Sequence, residues 1–430
     1  MSDVSRPRMA RRGILPVGVL AAALIALLAF APFASAASDP LASGTTTMTL
    51  QKSFTNYLKT FGITVSKISP TKLSGGKATF KVTGGSLDPT TGKGTVNLGG
   101  GLKFKAGKSS AQVKGLVLNT TKKELSGKVG GKKVKIATIA GWSFSRKGFG
   151  VNLKVNKVKL TNAGATQLNK KLGFSKGNPK PFLKNKLIAK ATSETQPSTV
   201  TVLPVGNMTF SGSPILLGKL SNVKVTLQTL GLTQQTGTTF TGPILGGTVS
   251  PTGTAGVVQS GIGLNLVQNL PTKSAPISTT ITLGGMYVDL AAKTATVEVV
   301  AVSNAIDPST GKMPLNLGNL GRSSIADIVV TGVNADPTTR TVGISAAAVL
   351  QPISAEVLQG FVSVYKGYIE EATFQGTKAF LESPEGGSKP PAEAEAIAKV
   401  KAKEAGEDAA KNKISAGEAL GTFSFVAQAQ

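Results

Sequence analysis

The sequence predicts a mostly β protein with two tandem β-sandwich-like domains and short helices. Its 430 residues are enough for two domains, and 40% of them are hydrophobic, enough to fill two cores. The 51 glycines and 22 prolines are typical of a chain with many turns. Segments that alternate apolar and polar residues recur along the chain. This alternation is typical of a strand with one buried face and one solvent-exposed face.

The first 37 residues have the pattern of an export signal. Arginines precede an apolar run at 13–33, and the sequence ASA at 34–36 is an A-x-A cleavage site. The arginine pair at 11–12 also resembles a twin-arginine signal. An uncleaved membrane anchor is the alternative, but the polar stretch after the site favours cleavage. We therefore expect a mature protein that is secreted or held peripherally at the cell surface.

Alternating segments and Asx turns then follow one another through both halves. In VNLKVNKVKL, the apolar phase slips between Val155 and Val158, which indicates a β-bulge. Asx residues begin turns because their side chains can bond backbone amides further on. Four such turns are predicted, at Asp88, Asn119, Asp307 and Asp336.

An internal repeat sets the domain boundaries. Ser86–Phe104 resembles Thr248–Leu266, and upstream the run KTFGIT at 59–64 resembles QTLGLT at 228–233. We therefore predict domains over 45–195 and 200–430.

Each copy leads to a helical segment, at 162–173 and at 354–368. Thr161 or Asn162 is the expected N-cap of the first helix and Ser354 that of the second. An Ala/Glu/Lys-rich stretch at about 383–413 interrupts the second domain and is predicted to be a solvated helical insertion or flexible arm. The alternating residues 421–430 should then form the final strand of that domain.

Positive charge is concentrated in the first domain. Residues 41–200 contain 29 Lys and Arg against three acidic residues, whereas the remainder of the mature chain is close to neutral. One interpretation is a set of solvated lysines that also protect strand edges. The other is a surface for a polyanion, such as an anionic envelope polymer or a membrane surface. Export and the near absence of arginine in this half argue against nucleic acid.

The chain contains no histidine and no cysteine. A Ser-His-Asp triad, a Cys-His pair and most zinc sites therefore cannot be built. The three acids of the first domain are far apart in the sequence, and the glycines at 99–101 lack the following Gly-Lys-Ser/Thr of a phosphate loop. We therefore predict that the protein is not an enzyme.

Three stretches of the first domain carry a family resemblance. Ser53, Phe54 and Tyr57 form a Ser-Phe-x-x-Tyr run, and a later Leu-Thr-x-x-Ala-like run begins at Leu160. With the segment 94–119 between them, they resemble the Htaa domain, which occurs in surface and secreted haem-uptake proteins of Gram-positive bacteria. The resemblance covers most of 48–195 and is fainter in the second domain.

The resemblance implies a β-rich domain that binds haem through its motif tyrosine. Tyr57 would then be the axial ligand, because a tyrosine oxygen suits ferric iron. Ser53 and Phe54 belong to the same motif, and Lys52 and Lys59 are candidates for the haem propionates by sequence proximity.

Two departures from the family keep alternatives open. The family site also uses a histidine, which this chain lacks, and alignment of KTFGIT with QTLGLT places Thr226 opposite Tyr57. Tyr57 could instead pack on a short helix with Phe54, Leu58 and Phe61, whose spacing gives one apolar stripe. The competing function is a cell-surface scaffold or adhesion module whose basic first domain grips anionic polymers.

Overall fold

The computed structural model describes residues 38–430, except 176–178, 273–274, 307–312 and 314. The predicted export signal and the turn predicted at Asp307 lie outside the described residues. Two antiparallel sheets contain most of the remaining chain. The prediction of a mostly β fold with two tandem sheet structures is confirmed.

The first sheet closes on itself. Its strands are β1 (Asp39–Leu50), β2 (Ile63–Ile68), β3 (Lys72–Ser74), β4 (Lys77–Leu87), β5 (Gly94–Ala106), β6 (Ser109–Asn119), β7 (Glu124–Val129), β8 (Lys132–Lys147), β9 (Gly150–Leu160) and β10 (Leu187–Pro197). Strand order is β2-β5-β6-β7-β8-β9-β10-β1-β4-β3, and β4 also pairs with β5. Eight strands, β1 and β4 to β10, therefore form a ring without open edges.

The second sheet closes in the same way. Its strands are β11 (Val200–Val202), β12 (Asn207–Gly212), β13 (Val225–Leu230), β14 (Gln234–Thr236), β15 (Thr239–Val249), β16 (Val257–Ser260), β17 (Gly263–Leu270), β18 (Ile277–Asp289), β19 (Thr294–Ser303), β20 (Gly318–Asp336), β21 (Thr341–Leu350) and β22 (Ala419–Gln428). Because β16 pairs with both β15 and β18, the ring runs from β15 through β16, β18–β22 and β12 back to β15.

Strand alternation places one apolar face of each sheet in a core. In β9 the apolar residues Val151, Leu153, Val155, Val158 and Leu160 are all buried. The pairing of β9 with β10 shifts register between Val155 and Val158, so the predicted bulge is confirmed. The alternating residues predicted at 421–430 lie in and just after β22, the final strand.

Five helices are present among the described residues: α1 (Lys52–Thr60), α2 (Asn162–Lys171), α3 (Pro214–Asn222), α4 (Pro352–Glu382) and α5 (Pro391–Ala410). Thr161 caps α2, since its hydroxyl accepts a hydrogen bond from the Gly164 amide at 3.0 Å, as predicted. Helix α4 is longer than expected and its N-cap is Gln351, so the Ser354 prediction is wrong. None of the helices in these residues has the length and apolar composition that crossing a bilayer requires.

The Ala/Glu/Lys-rich stretch forms helix α5, which packs along α4. Its buried face consists of small residues, which allow the two helices to approach closely; they are Ala394, Ala398, Ala402, Gly406 and Ala409. The stretch is therefore half of a helical hairpin and not a helix solvated on all sides.

Specific contacts join the two sheets, which belong to one compact unit. The Asp39 carboxylate accepts hydrogen bonds from the Thr201 amide and hydroxyl at 3.0 and 3.1 Å. Arg146 donates to the main-chain oxygen of Gln430 at 2.9 Å, and Phe149 from the first sheet is buried in the core of the second.

Candidate functional site

Helix α1 directs one side of the Ser-Phe-x-x-Tyr motif into the core of the first sheet. Phe54 and Leu58, four residues apart, are its buried residues. The Phe54 ring meets Phe182 edge to face at 6.2 Å, and Phe182 meets Phe104 at 5.5 Å. All three rings are buried in one hydrophobic cluster, so Phe54 packs in the core.

Tyr57 lies half-buried on the same helix. Its hydroxyl donates a hydrogen bond to the Lys180 carbonyl oxygen at 3.3 Å. Its ring meets Phe61 edge to face at 5.2 Å, and Phe61 in turn meets Phe174 at 6.0 Å. The Lys186 ammonium lies 5.2 Å from the centre of the Tyr57 ring, a cation–π distance. Tyr57 therefore combines ring packing with a hydroxyl near the surface.

A cleft of about 500 Å³ lies between helix α2 and the segment that follows it, and Tyr57 is linked to its lining through the hydrogen bond to Lys180. Lys170, Lys180 and Lys184 contribute to its lining, and Asn169 and Phe182 form part of its wall. The Asn169 side-chain amide pairs with both main-chain groups of Phe182, at 2.9 and 3.2 Å, and so anchors the segment that carries Lys180 and Lys184.

The predicted site residues differ in their exposure to solvent. Ser53, Lys52 and Lys59 are exposed on α1, and neither lysine makes an ion pair within the described residues. Sequence proximity missed Lys180 and Lys186, which the chain brings to Tyr57 from more than a hundred positions away. Their signal in the sequence was the lysine-rich run at 180–186.

Few side chains around Tyr57 have the donor atoms that metal ions bind. No group of three or more His, Cys, Asp or Glu residues that could hold a metal ion occurs in the described part of the chain. Tyr57 offers a phenolic oxygen, with the Phe61 ring and the Lys186 ammonium beside it. A tyrosine oxygen is one of the ligands that ferric iron accepts in proteins.

The same hydrogen-bond pattern in both sheets shows which residues correspond. Thr71 accepts from the Gly101 amide at 2.8 Å and donates to the Gly99 carbonyl at 3.4 Å. In the second sheet, Thr233 makes the same two bonds, at the same distances, with the equally spaced Gly263 and Gly261. This register pairs helix α1 with helix α3, which has the same length.

The residue that corresponds to Tyr57 is therefore Lys219, and the alignment with Thr226 is wrong. Thr226 lies on strand β13, whose counterpart is β2, not helix α1. Lys219 forms an ion pair with Glu418 at 2.8 Å and donates to the Lys413 carbonyl at 2.7 Å. A half-buried ion pair therefore lies where the first sheet has Tyr57.

Comparison with known proteins yields structural similarity alone. No protein-family model and no curated protein matches the chain. The C-terminal domain of HtaA from Corynebacterium glutamicum is 15% identical over 37% of this chain and 99% of that one, with a TM-score of 0.28. The N-terminal domain of HtaA from the same organism is 12% identical over 52% of this chain and 97% of that one, with a TM-score of 0.30.

Proposed function

We propose that the protein is an exported, non-enzymatic haem-binding protein with one site, at Tyr57. The observation that carries this proposal is the Tyr57 hydroxyl, which is exposed and bonded to Lys180, a residue that lines a cleft with two other lysines. The phenolic oxygen would hold ferric iron. Phe61 would contact the porphyrin, and Lys180 and Lys186 would hold its propionates by charge-assisted hydrogen bonds.

The proposal extends to the organisation of the chain. We propose two Htaa-like domains, over 45–195 and 200–430, of which the first alone binds haem. The ion pair of Lys219 with Glu418 supports this asymmetry, because an ammonium group cannot ligate iron while it is protonated and paired.

Tyr57→Phe is the decisive variant, since it keeps the ring against Phe61 and Lys186 and removes the oxygen. Haemin is titrated into the mature chain from residue 38 and into this variant, and the visible spectrum is followed. We expect a saturable spectral change that the variant loses or shows at least tenfold more weakly. Tyr365→Phe, on helix α4, is the matched control and should behave as the parent. Equal titrations of parent and Tyr57→Phe would refute the proposal.

A second candidate function, binding of an anionic envelope polymer, is favoured by a separate observation. Lys114, Lys128 and Lys133 stand directly opposite one another on strands β6, β7 and β8, and all three are exposed. Like charges in such a row are destabilising. Of the nine ion pairs among the described residues, one involves the lysines of 41–200, that of Lys135 with Glu124.

The lysine row (Lys114, Lys128 and Lys133) can be tested by charge removal. Binding to dextran sulfate is measured over a range of salt concentrations for the parent and for the row changed to Gln. We expect weaker binding and a shallower salt dependence in the variant, because fewer counterions are exchanged. The control removes the same charge from helix α5, at Lys399, Lys401 and Lys403. Equal losses in both variants would show that net charge alone, and not the row, is responsible.

A further inference from the structure

The interior of the second sheet contains an apolar pocket of about 120 Å³. Helices α3 and α4 cover it, and its walls include Leu216, Leu266, Ile281, Met286 and Leu358. None of the side chains that line it in the described part of the chain is charged. The pocket is therefore suited to an uncharged, apolar group, since nothing there would compensate for a desolvated charge.

At two positions of its lining, the pocket has leucines where the first sheet has phenylalanines. In the common register of the two sheets, Leu216 corresponds to Phe54 and Leu266 to Phe104. In the first sheet, these phenylalanines meet at Phe182 and occupy the interior. In the second, the shorter Leu216 and Leu266 line the pocket. Protein interiors are normally close-packed, so an empty pocket of this size lowers the stability of the fold. A bound ligand that fills the pocket would remove this cost.

One polar atom of a residue that lines the pocket lacks a partner. The Ser324 hydroxyl oxygen is buried and makes no hydrogen bond with any described residue. Ser324 lines the pocket, next to Ser323, and the Ser354 hydroxyl donates to the Ser324 carbonyl at 3.4 Å. A buried hydroxyl without a partner is unfavourable, and an oxygen of a bound ligand would satisfy it.

The lining residues that are exposed to solvent lie on strand β20 and helix α4, the two elements that carry Ser324 and Ser354. Strand β20 supplies Leu320, which is 43% exposed, and helix α4 supplies Ile353, which is 61% exposed. A cavity of ~150 Å³ holds one benzene molecule, so this pocket has room for roughly five carbon atoms. A ligand with its oxygen at Ser324, near this opening, would extend its carbon chain inward.

From these observations, we propose that the second sheet binds the acyl group of a neutral ester or amide, of about five to six carbons. The chain fills the space between Leu216 and Leu266, and the acyl carbonyl accepts a hydrogen bond from Ser324. The rest of the molecule leaves past Leu320 and Ile353. This site is independent of haem binding at Tyr57.

Ligand-observed NMR on the mature chain tests the proposal with three probes: methyl hexanoate, the hexanoate anion and toluene. We expect saturable binding of the ester, and binding at least tenfold weaker for the anion, because the lining offers no cation. Equal affinity for ester and anion would overturn the proposal. So would toluene binding as tightly as the ester if Ser324→Ala leaves both unchanged.

Three variants locate the site. Leu266→Phe restores the ring of the first sheet and should abolish ester binding. Ser324→Ala should weaken it roughly fivefold, the net value of one hydrogen bond. Ser345→Ala, an exposed serine of strand β21, should leave it unchanged. A folded Leu266→Phe that still binds the ester would refute the assignment, and if that variant does not fold, an unaffected Ser324→Ala would do so.

Discussion

Replacement of Thr71 by valine should destabilise the first sheet through one buried hydrogen bond. Thr71 is 1% exposed, and its hydroxyl is the acceptor for the Gly101 amide at 2.8 Å. Gly101 lies where the pairing of β5 with β6 shifts register, so the ladder itself leaves this amide free. Valine has nearly the shape of threonine but no acceptor. The unsatisfied amide should cost about 1–3 kcal/mol.

Urea unfolding followed by the fluorescence of Trp142, the one tryptophan of the chain, measures this cost. With a denaturant slope of about 2 kcal/mol per molar urea, a loss of about 2 kcal/mol lowers the midpoint by about 1 M. Thr138→Val is the control, because Thr138 is exposed on the same sheet. Hydrogen exchange at the Gly101 amide should accelerate in Thr71→Val. A midpoint shift no larger than that of the control would refute the reasoning.

Three further changes test the packing of helix α2 and the contact between sheets. Gly164→Ala should lower the melting temperature, with a cost of about 1–3 kcal/mol, because its Cβ would lie 2.4 Å from a carbonyl oxygen of β8; an unchanged melting temperature would contradict this. Asn169→Leu should leave the main chain of Phe182 unpaired and speed proteolysis at 180–186, whereas equal cleavage rates would not fit. Burial raises the pKa of Asp39 above its ordinary value of 3.8, because it disfavours the charged carboxylate. The protonated form of Asp39 therefore stabilises the folded protein at low pH, and this contribution is lost as the pH rises through the raised pKa. Asp39→Asn should therefore raise the urea midpoint at neutral pH, by an amount that shrinks on acidification; a gap that widens would exclude this.

Patterns between near neighbours in the sequence correctly predicted a strand, two turns and a helix cap, because each of these depends on interactions between near neighbours. The alternation in 151–160 gave strand β9 and its bulge, because side chains of a strand point to opposite faces in turn. Asp88 and Asp336 begin turns as expected, since their carboxylates bond amides two residues on. The cap at Thr161 follows from the same short-range chemistry. Ser354 failed as a cap because the helix begins earlier, at Pro352.

The candidate site was only partly predictable. Tyr57 could be named because a short motif contains it, but Lys180 and Lys186 reach it through a segment that Asn169 anchors. The counterpart of Tyr57 was misplaced because KTFGIT and QTLGLT are alike by letters over six residues. The hydrogen bonds of Thr71 and Thr233 fix the true register, which is also that of the similarity between Ser86–Phe104 and Thr248–Leu266.

By itself, the sequence determined the strand period, the turns, the absence of histidine and cysteine chemistry, and the concentration of positive charge before residue 200. The tertiary structure alone decided that each sheet closes into a ring, that three lysines stand in a row across β6–β8, and that Leu216 and Leu266 line an apolar pocket in the second sheet. The reason is that periodicity and turn chemistry act between near neighbours, whereas closure, charge rows and cavities depend on contacts between residues far apart in the chain.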